Sequence, residues 1–433
     1  MRRRRTVSTT LAALAALALP LGLTPGAVAQ PDGSGPDDLT PTDVTGLVVE
    51  AVREAQQERT GTASARSAGP ATTPTDRELR RALDEATRAL VDQGAVGVTA
   101  RVESPVLDWR GSAGVREVGA RPPAQPQDRF RVASITKTMI ATLVLQEVEA
   151  GTFDLDTPVS SIVPGLFPGR GSVTVEQLLS HRSGAPTATD HVLLTRIQDP
   201  SSWDQFLAAI GQDYSDEDHL WVVNNLPWHF LPGTDFSYSN AGYVALGVLL
   251  QEVTGEEIDD LLRERVLRPA GMRHTSYPDD PGINGPFLVG AAYTGPAWTG
   301  GLDWVSLDGF DPDVFRSAGA AVSTTEDLNA FTEALLSGEL LEPGTVADMV
   351  EPRTVGQELF PDYGLGVYRL QDPCTGGWLY GHDGASYGTV SLALSSADGT
   401  RQLSVGITGR DLTGTLPPYD LNQLLVPMLL ATC

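Results

Sequence analysis

Strand-like runs stand near both ends of the ordered part of this 433-residue chain, and helical periodicity fills the stretch between them. That segregation constrains the fold more than any other feature, because strands so far apart in sequence can bury their faces by meeting in one sheet. The first run follows Thr75-x-x-Glu78, a capping box opening a helix with Leu79, Leu83, Ala86 and Leu90 at helical spacing, closed by Gly94. Strand-like runs then cover Val96 to Val102 and Val106 to Trp109, separated by Glu103-Ser104-Pro105. In the middle, Thr136 to Ala150 carries Met139, Ile140, Leu143, Val144 and Val148 on one helical face. Thr174-x-x-Gln177 opens another helix, and Ala241 to Val253 and Glu256 to Leu267 supply two more. Beyond Gly381 the pattern returns to strands, Thr389 to Leu394 and Leu403 to Ile407, before a final helix from about Asp420. The predicted class is α/β (α+β): one sheet built from the two termini beside an inserted helical region.

Residues 1–29 read as a secretory signal, with a basic Arg2 to Arg5, an apolar Leu11 to Leu23 and a small-residue site at Ala27-Val28-Ala29. Cleavage after Ala29 predicts a secreted, extracellular protein. Residues 30–74 are rich in Pro, Gly, Thr, Asp and Ala, with one weak helical stretch from Asp43 to Glu58, and read as a flexible linker or pro-region. No later stretch reaches the roughly 18 apolar residues that a membrane span needs. The formal net charge of −25 repels phosphate backbones and anionic lipid, so nucleic acid is not an expected partner. Six histidines without metal-ligand spacing predict no metal, and no cofactor is expected. The two cysteines, Cys374 and Cys433, are either two thiols or one bridge; the bridge is predicted, given the export signal.

One residue stands out chemically. Of 30 basic residues a single one, Lys137, is a lysine. Arginine stays protonated in proteins, whereas a desolvated lysine can give up its proton. Ala133-Ser134-Ile135-Thr136-Lys137 opens the first middle helix, and positions i and i+3 share a helix face, so Lys137 lies beside the Ser134 hydroxyl. A serine is a poor nucleophile until a base takes its proton. For lysine to do so its pKa must fall by about three units, roughly 4 kcal/mol of differential interaction. Alone, the pair also fits a serine N-cap and a solvated lysine.

Two further groups complete the candidate site. Tyr238-Ser239-Asn240 offers a phenol to relay a proton and an amide to hold a substrate carbonyl or orient Lys137. Gly381-His382-Asp383-Gly384 leads into the strand from Thr389, where an edge could bind extended substrate. Each alone is an ordinary turn. Gly384-Ala385-Ser386-Tyr387-Gly388 imitates a nucleophile elbow, but a strand-like run follows it and no histidine lies beyond His382.

Together, in this order and spacing, the three groups resemble the penicillin-recognising serine enzymes: class C β-lactamases, D-alanyl-D-alanine carboxypeptidases and related esterases. Ser180-His181-Arg182-Ser183-Gly184 and Ser317-Ala318-Gly319 are similar to further family signatures. Tyr363-Gly364-Leu365-Gly366, Cys374 and Cys433 most resemble the exocellular D,D-carboxypeptidases of Gram-positive mycelial bacteria. The resemblance implies a β-lactamase/transpeptidase-like catalytic domain over 75–433, with an antiparallel sheet flanked by helices and an all-helical subdomain. It implies acylation of Ser134, proton transfer shared by Lys137 and Tyr238, and a substrate steadied by Asn240. His382, Asp383, Gly384 and Ala385 would bind substrate, the N–H groups of Ser134 and Ala385 forming the oxyanion hole.

Asp383 departs from the pattern, which has a threonine there whose hydroxyl helps hold a substrate carboxylate. An aspartate repels one unless protonated or turned away, and Arg369 is the candidate to compensate. The expected function is a secreted D-alanyl-D-alanine carboxypeptidase-type hydrolase. Esterase, amidase and β-lactamase readings stand beside it, as does a non-catalytic penicillin-recognising module. The expected partner is a peptidoglycan stem peptide, a β-lactam or an ester, met by a monomer.

Overall fold

A computed structural model describes residues 42–66, 75–297, 300–357 and 360–433. Residues 1–29, read as a signal segment, and residues 30–41 and 67–74, read as linker, lie outside the described residues. The strands from the two ends do meet in one sheet. Its eight strands are β1 (Gly97–Glu103), β2 (Asp108–Gly114), β3 (Thr354–Val355), β4 (Asp362–Tyr363), β5 (Tyr368–Gln371), β6 (Trp378–Ala385), β7 (Thr389–Ser396) and β8 (Gln402–Thr408). They run in the order β2-β1-β8-β7-β6-β5-β4-β3, and all neighbours are antiparallel. The β1–β8 pairing joins the termini, with Val98 opposite Ile407 and Val102 opposite Leu403.

Six helices position the site: α1 (Thr42–Arg66), α2 (Asp76–Asp92), α3 (Thr136–Glu149), α4 (Asn240–Thr254), α5 (Thr325–Leu336) and α6 (Asn422–Ala431). The capping box at Thr75 and Glu78 is formed, and Leu83, Ala86 and Leu90 of α2 are buried. A cap of this kind contributes about 1 kcal/mol. With α6, α2 belongs to the apolar cluster that includes Val98, Val102, Leu403 and Ile407 of the sheet. A second, larger cluster is built around α3 and α4 and includes Val132 and Ala393. The sequence marks only one face of α3 as apolar, yet every residue from Thr136 to Leu145 is buried. Its threonines are satisfied locally. Thr138 donates to the Gly366 carbonyl (2.7 Å), Thr142 to the Thr138 carbonyl (2.8 Å), and Thr136 accepts from Ala321 N–H (3.1 Å). Hydrogen-bonded hydroxyls let a polar-looking helix sit at the centre of a domain.

Two sequence expectations change. The second strand begins at Asp108 and runs to Gly114, because Ser104 to Leu107 closes the turn, with Ser104 N–H donating to the Leu107 carbonyl (2.8 Å). Gly111 is needed within it: a Cβ there would lie 2.3 Å from the Trp109 ring. The stretch read as a flexible linker contains α1, whose Val44, Val48, Ala51, Val52 and Ala55 are buried in the cluster shared with α6. Their spacing is helical, but the side chains are small and their neighbours polar, so the face is weakly marked in sequence.

Cys374 and Cys433 are joined by a disulfide across a sequence separation of 59. It fastens the end of α6 to the turn between β5 and β6. In the chain-entropy picture such a loop contributes roughly 4 kcal/mol. Replacing both cysteines by serine should therefore lower the urea midpoint by a loss of about 2–4 kcal/mol without shifting the sheet's circular dichroism.

Candidate active site

Ser134 sits where the chain turns from the short strand Phe130–Arg131 into α3, in a 3₁₀ turn spanning Ala133–Ile135. Ala133 has φ 47°, a left-handed conformation that costs a non-glycine residue about 1–3 kcal/mol and persists only where packing imposes it. The packing is visible. Ser391 Oγ on β7 donates to the Val132 carbonyl (2.7 Å), and Gly384 on β6 lies so close that a Cβ there would be 2.2 Å from that oxygen and 2.9 Å from Ser134 N. Glycine at 384 is thus what lets β6 approach the nucleophile.

Lys137 is fully buried, and its Nζ lies 3.1 Å from Ser134 Oγ, 2.7 Å from Asn240 Oδ1 and 2.8 Å from the Ala318 carbonyl oxygen. Burial holds its pKa well below the usual lysine range, with Asp383 opposing that shift. The geometry suits a neutral amine. Asn240 Oδ1 and the Ala318 carbonyl can only accept, so they take two N–H groups and leave a lone pair for the Ser134 hydroxyl. Asn240 is oriented in turn by donating from Nδ2 to Thr189 Oγ1 (2.9 Å), and Ser239 caps α4 through Gly242 N–H (3.2 Å). Ala318, seen in the sequence only as part of a Ser-Ala-Gly signature, supplies a contact that residue-type reasoning missed, because the contact is a main-chain carbonyl.

Tyr238 stacks on Phe360 (4.7 Å between ring centroids, 10° between planes), and its ring lies 4.9 Å from Lys137 Nζ. Burial pushes the Tyr238 phenol well above its ordinary pKa, and the neighbouring Ser134 hydroxyl pulls it back in part. The phenol is buried and closes no hydrogen bond of good geometry among the described residues, and the hydroxyl that acts on it is that of Ser134.

A second layer runs behind Tyr238. Ser239 N–H donates to His181 Nδ1 (3.1 Å), His181 Nε2 lies 3.2 Å from Tyr363 Oη, and Tyr363 Oη lies 3.0 Å from His382 Nε2. His382 Nδ1 faces the Asp383 carbonyl. Because Nδ1 of His181 accepts, its Nε2 carries the proton and donates to Tyr363, which donates to His382; the proton of His382 is then on Nδ1. Burial holds both imidazoles well down, His382 to about 3, with Lys137 adding to the effect. Both are therefore neutral donors and acceptors near pH 7. His181, seen in the sequence only within a family signature, is buried just past the Val175–Leu179 helix with φ 57°.

The Asp383 side chain accepts from Thr45 Oγ1 of α1 (3.0 Å). Burial pushes its carboxyl up to about 6, offset in part by the Tyr368 and Thr45 hydroxyls and by Lys137. Arg369 pairs with Asp362 (3.0 Å) and lies 4.1 Å over the Trp378 ring, so its guanidinium is already engaged.

A buried lysine within reach of a helix-opening serine, flanked by a phenol and an amide, defines a serine hydrolase that works by acyl transfer. The chain belongs to the Beta-lactamase family, whose model matches residues 83–401. A penicillin-binding protein of Bacillus subtilis is 26% identical over 318 residues, covering 71% of this chain and 66% of that protein. Esterase EstB of Burkholderia gladioli is 28% identical over 326 residues, covering 69% of this chain and 81% of the esterase. Among solved structures, a D-stereospecific amidohydrolase from a Streptomyces species superposes with a TM-score of 0.67 at 28% identity, covering 76% of this chain and 94% of that one. The chain spans two thirds or less of the first two curated relatives it matches. No helix among the described residues is long and apolar enough to cross a membrane.

A carboxyl raised in the fold binds its proton more tightly folded than unfolded, so it lowers stability as pH rises between the two pKa values. Asp383→Asn removes that term. The variant's unfolding free energy, relative to wild type, should rise from pH 4 to about pH 6 and then level off. Urea titrations at pH 4, 5, 6 and 7 read the difference directly.

Proposed function

We propose that this chain is an exported amidohydrolase or peptidase acting through an acyl-Ser134 intermediate, on acyl donors without a carboxylate beside Asp383. Ser134 Oγ attacks the substrate carbonyl while its proton passes to the neutral Lys137 amine, and the N–H groups of Ser134 and Ala385 receive the oxyanion. Tyr238 and Lys137 return a proton to the leaving amine, breaking the amide and leaving the ester at Ser134. Water then attacks that ester by the reverse path and restores the serine. Asn240 holds the lysine in register throughout.

The observation that carries the choice of substrate is Asp383. Its carboxyl is buried and bonded to Thr45, with no arginine paired to it among the described residues, while Arg369 is engaged by Asp362. A terminal carboxylate placed there would meet like charge as soon as Asp383 ionised. The 28% identity and fold likeness to the D-stereospecific amidohydrolase support a D-aminoacyl amide or short D-peptide as the acyl donor. The signal segment and the disulfide support action outside the cytoplasm. A D,D-carboxypeptidase is the second reading, favoured by His382 and by the disulfide between Cys374 and Cys433.

Hydrolysis of D-phenylalanine amide and of a D-alanyl-D-alanine peptide, followed by mass spectrometry, separates the two. The amide should turn over and the peptide should not. Ser134→Ala, and Lys137→Arg, which keeps a permanent charge, should each reduce turnover at least 100-fold. Preferred cleavage of the peptide would reverse the assignment.

A further inference from the structure

The catalytic centre is closed. Ser134 is 4% exposed, Lys137 0%, Asp383 1% and Ala385 3%. A hydrolase must admit its substrate, so the element that covers these residues has to give way.

That element is α1. The pairing of β5 to β6 ends at Tyr368 opposite Gly381, so the stretch His382–Ala385, which borders Ser134, has β7 on one side and no strand on the other. The first turns of α1 reach this stretch through the Thr45–Asp383 hydrogen bond, and Thr45 is itself 0% exposed. Val44 and Val48 belong to the apolar cluster that contains Phe360, Tyr363 and Tyr368, against which Tyr238 also packs. The far half of α1 is held by polar contacts: Gln56 Nε2 to Gln371 Oε1 (3.2 Å) and Asn422 Nδ2 to Glu54 Oε2 (3.1 Å).

Two features distinguish α1 from the rest of the domain. It lies outside the family match, which begins at residue 83. Its buried face is made of valines and alanines, small side chains that dock with little interlocking.

We propose that α1 is an intramolecular cover of the substrate site, with Thr45 occupying at Asp383 the place of a hydrogen-bond donor on the substrate. The full chain is then held at low activity, and substrate binding displaces the first turns of α1. The same exchange assigns a role to Asp383: it accepts from an N–H or O–H of the substrate once Thr45 has left. This rests on Ser134 being the nucleophile, so its test reads covalent labelling rather than turnover.

The full chain is treated with a fluorophosphonate, and the mass increase on Ser134 is timed for wild type, Val48→Asp and Ser134→Ala. Hydrogen exchange over residues 44–56 is followed in parallel. Val48→Asp should raise exchange in α1 and speed labelling at least tenfold, with Ser134→Ala unlabelled. In wild type, labelling Ser134 should itself raise exchange over 44–52, a readout that does not depend on the variant folding. Free α1 with an unchanged labelling rate, or labelled wild type with α1 still protected, would overturn the cover alone. Absence of labelling in every form would instead remove the nucleophile, and the cover with it.

Discussion

The structure turns on a buried lysine that forms no ion pair among the described residues, with Asp383 acting on it only at longer range. Lys137 is buried at the centre of the domain, and its neighbours are two acceptor oxygens, a serine hydroxyl and two aromatic rings. A charged ammonium there is poorly compensated, and the amine form fits the contacts with every group satisfied. The surrounding fold supplies that environment. The 3₁₀ turn Ala133–Ile135 delivers Ser134 and the first turn of α3 delivers Lys137, α4 brings in Asn240, the 3₁₀ turn Arg316–Ala318 offers the Ala318 carbonyl, and β6 closes the far side through Gly384. Distortion at Ala133 follows from the same requirement, since the serine must leave the strand and face the lysine within one turn.

Around this centre the polar groups are arranged in two layers. The inner one, Ser134, Lys137 and Tyr238, is the layer to which the proposed function assigns proton transfer. The outer one, His181, Tyr363 and His382, is neutral, and its hydrogen bonds run in one direction from the Ser239 amide to the Asp383 carbonyl. Such a chain orients rings without placing a second charge beside the lysine. Histidine at 382 serves this arrangement where a permanently charged residue would raise the field at Lys137.

Much of this was legible in the sequence, for identifiable reasons. The strands at 97–103 and 402–408 and the capping box at Thr75 are local patterns, and serine, lysine, tyrosine and asparagine were found because their spacing carries chemistry. What was missed is long-range or main-chain. The Ala318 carbonyl has no side-chain signature. Tyr363 stood in a recognised motif without a role, since its partners His181 and His382 are 182 and 19 residues away. Thr45 and Asp383 are 338 residues apart, so the group that satisfies the unusual aspartate could not be paired with it from sequence. The stretch holding α1 was read as a linker with only a weak helix from Asp43 to Glu58, because its apolar face is made of valine and alanine. Arg369 was a reasonable candidate by charge, and only the contacts with Asp362 and Trp378 show that it is engaged.

Lys137 is the only lysine in the chain, which makes the central claim directly measurable. Lysine labelled with ¹⁵N at Nζ would give one side-chain resonance, assignable without a variant, whose shift against pH reports the charge of this one group. The account predicts a titration well below the ordinary lysine value of about 10.4. A titration at or above that value would mean a permanently charged Lys137, and the base assigned to Ser134 would be wrong.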